Sequence, residues 1–238
     1  MTVQHTGLSK RILCSEEASH STFSVIAVAE DVSIQKMFVD MGADVSILAP
    51  DTVSTKDYLD AFAQCHSDRI FVFPNSSDGF LSAMQAKSLY SKGEVTVLNS
   101  PTIATCYAAL PIIDFEEQDP EVVLDTISQV INDLLVVSLA KRESSIQYKN
   151  QSIHGNEFYS YSGKELLAVG NSVEDVAIQT IKRVLRLREN DVITVFYQPR
   201  LQEAVETVIS SAKESGIFAD FYSVPVDHLP TLLTVSFE

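Results

Sequence analysis

The hydrophobic pattern of the first half of the chain repeats as a short apolar run followed by an amphipathic segment. The apolar runs span residues 23–29, 44–48, 69–73 and 94–98. The first of them shows no polar alternation, which is typical of a strand buried on both faces. Because such strands alternate with helical segments, the pattern predicts a parallel sheet with helices connecting its strands.

Residues that begin and end helices support this division. Ser54 precedes the second helical segment and has Asp57 in the turn that follows, which predicts an N-cap with an acidic residue near the helix start. Gly42 and Gly93 follow the first and third segments, and we expect both to adopt the left-handed conformation that ends a helix. The predicted helices span residues 31–41, 55–65, 78–91 and 103–110.

The second half of the chain has a different pattern, which begins after an acidic run at residues 114–121. Residues 145–161 alternate between apolar and polar and contain turn signals at 149–151 and 154–156, so they predict antiparallel hairpin structure. Other strands are predicted at 135–141, 165–169, 191–197, 217–223 and 232–237, and helices at 121–134, 173–188 and 201–215.

These patterns predict an α/β protein with two lobes. Residues 23–120 form a parallel-sheet N-lobe of βα units, and residues 121–238 form a mixed-sheet α/β C-lobe. Residues 1–22 are polar and lack periodicity, so we interpret them as a tail or linker remnant.

Net charge narrows the classes of function. The 238 residues contain 17 Lys and Arg against 32 Asp and Glu, which gives a net charge of −15. This balance argues strongly against a general nucleic-acid binder and disfavours docking on anionic lipid. The sequence shows neither an apolar run long enough for membrane insertion nor the apolar core of a signal peptide. The three cysteines are widely spaced and predict no disulfide framework, so we expect a cytoplasmic protein.

Known catalytic and metal-binding motifs are absent from the sequence. There is no glycine-rich phosphate loop, no zinc-protease motif and no nucleophile elbow, and the histidines lack metal-ligand spacing. We therefore predict neither a catalytic residue nor a metal ligand in this chain. Cys106 lies at the start of a short helix without a histidine near it in sequence, and we expect it to be a buried, inert thiol.

Polar residues follow the strands of the predicted parallel sheet, including Glu30 after the first strand and Ser100 after the fourth. Ligands bind at this edge of open parallel sheets. The same residue types also cap helices and form turns, and that alternative stays open. The candidate ligand-binding residues are Thr52, Ser54, Asn75, Ser77 and Thr102.

Several of these segments also resemble a known family. Residues 25–30 and 41–45, the Phe-Pro-Asn ending at Asn75, the segment 100–110 and the terminus at 234–238 are similar in order and spacing to the C-terminal region of the fatty acid kinase catalytic subunit. That subunit belongs to the proteins with a dihydroxyacetone-kinase-type domain. The resemblance covers residues 23–238.

The resemblance implies a two-lobed fold like that of the fatty-acid-binding DegV-type proteins. It also implies that ATP and magnesium bind in a separate kinase domain, so that this chain itself holds no cofactor. The implied role is a non-catalytic docking and assembly domain. The implied partner is an acyl-binding protein or a kinase domain, with a homodimer as a further alternative.

Two other functions remain open at this stage. One is a free-standing fatty-acid or small-anion binding protein, and the weaker one is a phosphatase-like hydrolase. At Ala49, Pro50 and Cys106 this chain departs from the glycines typical of the family. Because glycine allows a backbone to approach a ligand closely, we expect a degenerate ligand site.

Overall fold

The computed structural model describes residues 11–15, 22–148, 151–188 and 190–238. The chain divides into two compact units, with the boundary between Asp133 and Leu134. Each unit contains a β-sheet and helices, which confirms the predicted α/β class. The boundary lies after the helix that the sequence pattern assigned to the second lobe, so that helix belongs to the first unit.

The first unit contains a five-stranded sheet with the strand order β1-β3-β2-β4-β5. The pairs β2–β3, β2–β4 and β4–β5 are parallel, as predicted. The strands are β1 (Ile12–Cys14), β2 (Ser24–Ala29), β3 (Val45–Leu48), β4 (Arg69–Phe73) and β5 (Glu94–Val97). The helices are α1 (Val32–Asp40), α2 (Thr55–Phe62), α3 (Ser77–Leu89), α4 (Ile103–Ala109) and α5 (Pro120–Asp133).

Strand β1 corrects the interpretation of residues 1–22 as a tail. It pairs antiparallel with β3, with Ile12 opposite Ile47, and the N–H of Leu48 donates to the carbonyl of Arg11 at 2.7 Å. A half-buried edge strand of three residues is too short to show a period, so the sequence pattern gave no sign of it. Residues 1–10 and 16–21 of the interpreted tail lie outside the described residues.

Two glycines expected to end helices have different roles. Gly42 follows α1 with φ +109°, which is the predicted left-handed conformation. The prediction for Gly93 is wrong, because α3 ends at Leu89 and Gly93 shows no left-handed φ. A Cβ atom on Gly93 would lie 2.5 Å from the carbonyl oxygen of Asp68, so glycine is required there by a close backbone approach.

The second unit contains a six-stranded sheet with the order β10-β9-β6-β13-β11-β12. The pair β11–β12 is parallel and the other pairs are antiparallel, which confirms the predicted mixed sheet. Its strands are β6 (Leu135–Lys141), β9 (Phe158–Ser162), β10 (Glu165–Gly170), β11 (Val192–Tyr197), β12 (Asp220–Pro225) and β13 (Leu233–Phe237). Strands β7 (Ile146–Tyr148) and β8 (Gln151–Ile153) form a separate antiparallel pair.

The helices of this unit are α6 (Val173–Leu185) and α7 (Gln202–Glu214). Both pack on the sheet through buried valine, alanine and isoleucine side chains. Of the expected hairpin turn, Lys149 and Asn150 lie outside the described residues.

Candidate functional site

Asn75 connects three strand ends at the carboxyl edge of the first unit's sheet. It follows β4 with φ +54°, a conformation that asparagine tolerates better than most residues. Its side-chain Nδ2 donates to the carbonyl of Val28 on β2 at 2.7 Å, and its backbone N–H donates to Oγ of Ser100 at 3.1 Å. Asn75 and Ser100 are both buried, so these bonds hold the loops after β4 and β5 beside β2.

Three oxygen atoms at this edge are buried without a hydrogen-bond partner among the described residues. They belong to the side chains of Glu30 after β2, Asn75 after β4 and Thr102 after β5. Thr102 occupies the N-cap position of α4, but its hydroxyl makes no capping bond. An unsatisfied buried polar atom costs about 1–3 kcal/mol, so this polar cluster is energetically unfavourable as it stands.

Burial changes the protonation of Glu30. Desolvation raises the pKa of its carboxyl to about 8, a hydrogen bond from its own backbone opposes the rise, and the charge of Asp31 adds to it. Asp31 is itself buried and caps α1, accepting from the N–H of Ile34 at 2.9 Å. A pKa of about 8 favours the protonated form of Glu30 at neutral pH.

Cys106 lies fully buried in α4 near this cluster, as expected for an inert thiol. Burial raises its pKa well above the ordinary value, a contact with Asn75 opposes the rise, and the charge of Glu30 adds to it. A reactive cysteine needs the opposite shift, because the thiolate is the nucleophile.

Ser54 has no free donor for a ligand. Its hydroxyl and its backbone N–H both donate to the Asp57 carboxylate, at 2.7 and 2.9 Å, and the hydroxyl also accepts from the N–H of Asp57. This is a capping box at the start of α2. The prediction of an N-cap at Ser54 is therefore confirmed, and both donors are satisfied within the chain.

The remaining candidates lie at the surface. Thr52 is exposed, and its carbonyl accepts from the Arg11 guanidinium at 3.4 Å. Ser77 is exposed as the first residue of α3, whose N-cap is Ser76. Asn75 and Thr102 therefore belong to the buried cluster, whereas Thr52, Ser54 and Ser77 lie on exposed loops and helix starts. Their role in ligand binding stays a prediction.

An open concavity of about 280 Å³ lies beside the start of α3. Ser76, Ser77 and Asn99 form part of its lining, and Phe80 and Leu81 contribute apolar surface. Ser100 also reaches it, so the concavity borders the loop that Asn75 holds.

Glu30 and Ser100 belong to this edge but are not among the five ligand-binding candidates drawn from the sequence. The sequence shows a polar residue after each strand, but it does not show which one is buried. The Asp-Val-Ser spacing after Glu30 is also typical of a helix start, and it gave no sign of a buried carboxylic acid.

The described residues contain neither a candidate metal-binding group nor a candidate membrane-spanning helix. They contain no group of three or more His, Cys, Asp or Glu side chains that could hold a metal ion. They also contain no helix that is long and apolar enough to cross a membrane.

Comparison with known sequences identifies relatives of this chain. The family model for the C-terminal region of FakA-like fatty acid kinase subunits matches residues 24–227. Protein YloV of Bacillus subtilis is 24% identical over 209 residues, which cover 83% of this chain and 36% of YloV. The chain therefore spans about a third of the length of that relative.

Comparison with solved structures shows a similar fold in DegV family proteins and in a fatty acid kinase protein. A DegV family protein from Corynebacterium glutamicum superposes with a TM-score of 0.68 and 13% identity, covering 91% of this chain and 97% of that protein. The Streptococcus pneumoniae fatty acid kinase B3 protein, loaded with linoleic acid, superposes with a TM-score of 0.62 and 15% identity, covering 91% and 99%. These likenesses confirm the expected DegV-like fold, and the matched residues show that the chain belongs to the family of C-terminal regions of FakA-like fatty acid kinase subunits.

Proposed function

We propose that this chain is a non-catalytic docking and assembly domain of a fatty-acid-kinase-like protein, and that it engages an acyl-carrying protein in the cytoplasm. Its membership of a family of C-terminal regions supports this role, as does its match to about a third of a longer relative. In this proposal, ATP and magnesium bind to a kinase domain outside this chain, which itself has no phosphotransfer activity.

The capping box at the start of α2 carries the proposal, because the Asp57 carboxylate occupies the donors of Ser54. Two donors at this position, the hydroxyl and the backbone N–H, are already bonded to Asp57. The carboxylate of a fatty acid would have to displace a carboxylate that is covalently part of the same helix turn. The fatty-acid carboxylate and the Asp57 carboxylate would also repel each other at hydrogen-bonding distance from the same donors. The geometry therefore disfavours an acyl headgroup at the start of α2.

The backbone before Ser54 supports the same conclusion. The N–H of Ala49 donates to the carbonyl of Ala29 at 2.8 Å, so it is not available to a ligand. The next residue, Pro50, has no N–H. These two positions therefore provide no free backbone N–H group that could bind a carboxylate.

The charge of the chain favours a protein partner with a basic face. A net charge of −15 steers such a partner towards the chain and makes the association rate fall as salt increases. The same charge disfavours a homodimer through acidic faces.

Isothermal titration calorimetry tests the docking role. The probe is a DegV-type fatty-acid-binding protein from the same organism, loaded with palmitate, titrated into the purified chain at about 50 mM and about 500 mM NaCl. We expect saturable binding with a Kd that rises at least about tenfold at the higher salt concentration. Free palmitate serves as the control and should give no saturable heat. Absence of binding at low salt by a correctly folded chain would contradict the proposal.

A second candidate function is binding of a small polar ligand at the buried cluster. The unpartnered oxygens of Asn75 and Thr102 favour it, because a small molecule with hydrogen-bond donors would satisfy both. The hydrolase alternative has no comparable support, since burial makes the Cys106 thiol a poor nucleophile.

A further inference from the structure

Strand β12 forms one edge of the second unit's sheet, and its outer side has no strand partner among the described residues. In the part of the chain that the structure describes, its only neighbour in that sheet is β11, and the two pair in parallel from Asp220 to Pro225. A strand edge of this kind presents unpaired N–H and C=O groups to any extended chain that approaches it.

The hydrogen bonds to β11 show which groups face outward. The N–H of Asp220 donates to Asp191, and the N–H of Val226 donates to Tyr197, both at 2.8 Å. Backbone groups alternate in direction along a strand, so the N–H and C=O groups of Phe221 and Ser223 point away from β11. These two residues provide the donors and acceptors for an added strand.

The opposite edge of the same sheet is protected in a way that β12 is not. Strand β10 contains a bulge between Leu166 and Ala168. Arg183 donates to the carbonyl of Leu167 at 2.7 Å and forms an ion pair with Glu165. Bulges and inserted charges are common devices that prevent unwanted strand pairing. On β12 itself the outward-facing Pro225 has no N–H, so the contrast leaves the part of this edge from Phe221 to Ser223 available.

The side chains around β12 are also unusually exposed. Phe218, just before the strand, is 97% exposed, and Tyr222 within it is 51% exposed. Aromatic side chains at this level of exposure are typical of interaction surfaces, because they supply contact area at a low cost in conformational entropy.

Charge identifies the kind of chain that fits this edge. Helix α7 packs against β12, and its solvent-exposed side carries Glu203, Glu206 and Glu214, while Asp220 begins the strand. Lys213 lies over the ring of Phe221 at 5.9 Å. In a symmetric pairing of two β12 strands the acidic helices of both copies would approach each other, so a second copy is disfavoured.

We propose that the outer edge of β12 receives an extended, basic segment of a protein partner by strand addition. The added strand pairs with the outward groups of Phe221 and Ser223, its lysine or arginine side chains face the glutamates of α7, and Tyr222 and Phe218 cover its apolar residues. This inference rests on the proposed docking role for the choice of a protein partner and names the surface and chemistry that would be used.

The variant Ser223→Pro tests the edge directly. Its proline removes an N–H that faces away from β11, so the bonds within the sheet remain, and proline is tolerated at such edge positions. Ser223→Ala is the matched control, because it changes the side chain and keeps the N–H. Circular dichroism and the thermal midpoint establish that both variants are folded.

The probe is a fluorescein-labelled peptide of about eight residues that alternates lysine with valine or threonine, a length within the usual range of strands. Fluorescence anisotropy should show binding to the wild type, a change of less than about twofold for Ser223→Ala and a loss of at least about tenfold for Ser223→Pro. Versions of the peptide with glutamate for lysine, or with N-methyl groups on alternate residues, should not bind. The N-methylated peptide keeps the test decisive if Ser223→Pro does not fold.

Three results would overturn the proposal: no binding of the basic peptide, equal binding by the proline and alanine variants, or a dimer in sedimentation velocity that Ser223→Pro dissociates. The last of these would assign the edge to a second copy. The peptide experiment on the β12 edge and the calorimetric test of the docking role can fail independently of each other. An acyl-loaded partner that binds the wild type and Ser223→Pro equally would support docking while excluding this edge as its surface.

Discussion

Replacement of Gly42 by alanine, in the turn after α1, is expected to lower the free energy of unfolding by about 3 kcal/mol. Gly42 has φ +109°, where a side chain strains the backbone. A Cβ atom at this position would also lie 2.4 Å from the ring of Phe115, which stacks on the fully buried Phe23 at 6.0 Å. A shift of the ring away from the new Cβ would disturb its stacking on Phe23.

Gly216 provides the matched control for this variant. It also has a positive φ, at +78°, but among the described residues no atom beyond its two chain neighbours lies within 4 Å of the position that its Cβ would occupy. Gly216→Ala should therefore show backbone strain alone, about 1 kcal/mol. Urea denaturation of both variants measures the difference. Equal destabilisation at the two positions would show that the contact with Phe115 is not responsible.

Replacement of Glu30 by glutamine should remove a dependence of stability on pH. The folded-state pKa of Glu30, about 8, is above its ordinary value, so the folded protein binds a proton that the unfolded chain has released. Stability is therefore highest below the ordinary pKa and falls as pH rises towards 8. The total loss amounts to several kcal/mol, because each tenfold difference in proton affinity between the folded and unfolded states corresponds to about 1.4 kcal/mol.

Urea denaturation between about pH 5 and pH 9 measures this effect. Relative to the wild type, Glu30→Gln should gain stability steadily across this interval and reach a plateau above pH 8. Glu116→Gln, at an exposed position, is the control and should follow the wild-type profile. Parallel profiles for Glu30→Gln and the wild type would mean that Glu30 is ionised in the folded protein.

The alternation of strands and helices could be predicted because the hydrophobic pattern of each element extends over more residues than the uncertainty in the position of its ends. Strand β1 could not, since three half-buried residues that pair through backbone groups leave no period to detect. The position of Gly93 in sequence predicts a helix end, whereas the contact that requires glycine there is with Asp68, which is distant in sequence.

The candidate site shows a similar limit. Sequence could identify Ser54 both as an N-cap and as a potential ligand contact, because the same hydroxyl serves either purpose. The choice depends on the side-chain orientation of Asp57, which only the structure gives. In the same way, the polar residues after the strands were visible, but the burial that raises the pKa of Glu30 arises from tertiary packing.

We expect this domain to bind an acyl-carrying protein without itself retaining the acyl chain. Native mass spectrometry tests both parts in one measurement, with the purified chain alone and mixed with the palmitate-loaded DegV-type protein. We predict a lipid-free chain and a one-to-one complex that contains one palmitate. A stoichiometric fatty-acid adduct on the chain alone, lost in the variant Thr52→Val/Thr102→Val, would contradict the claim.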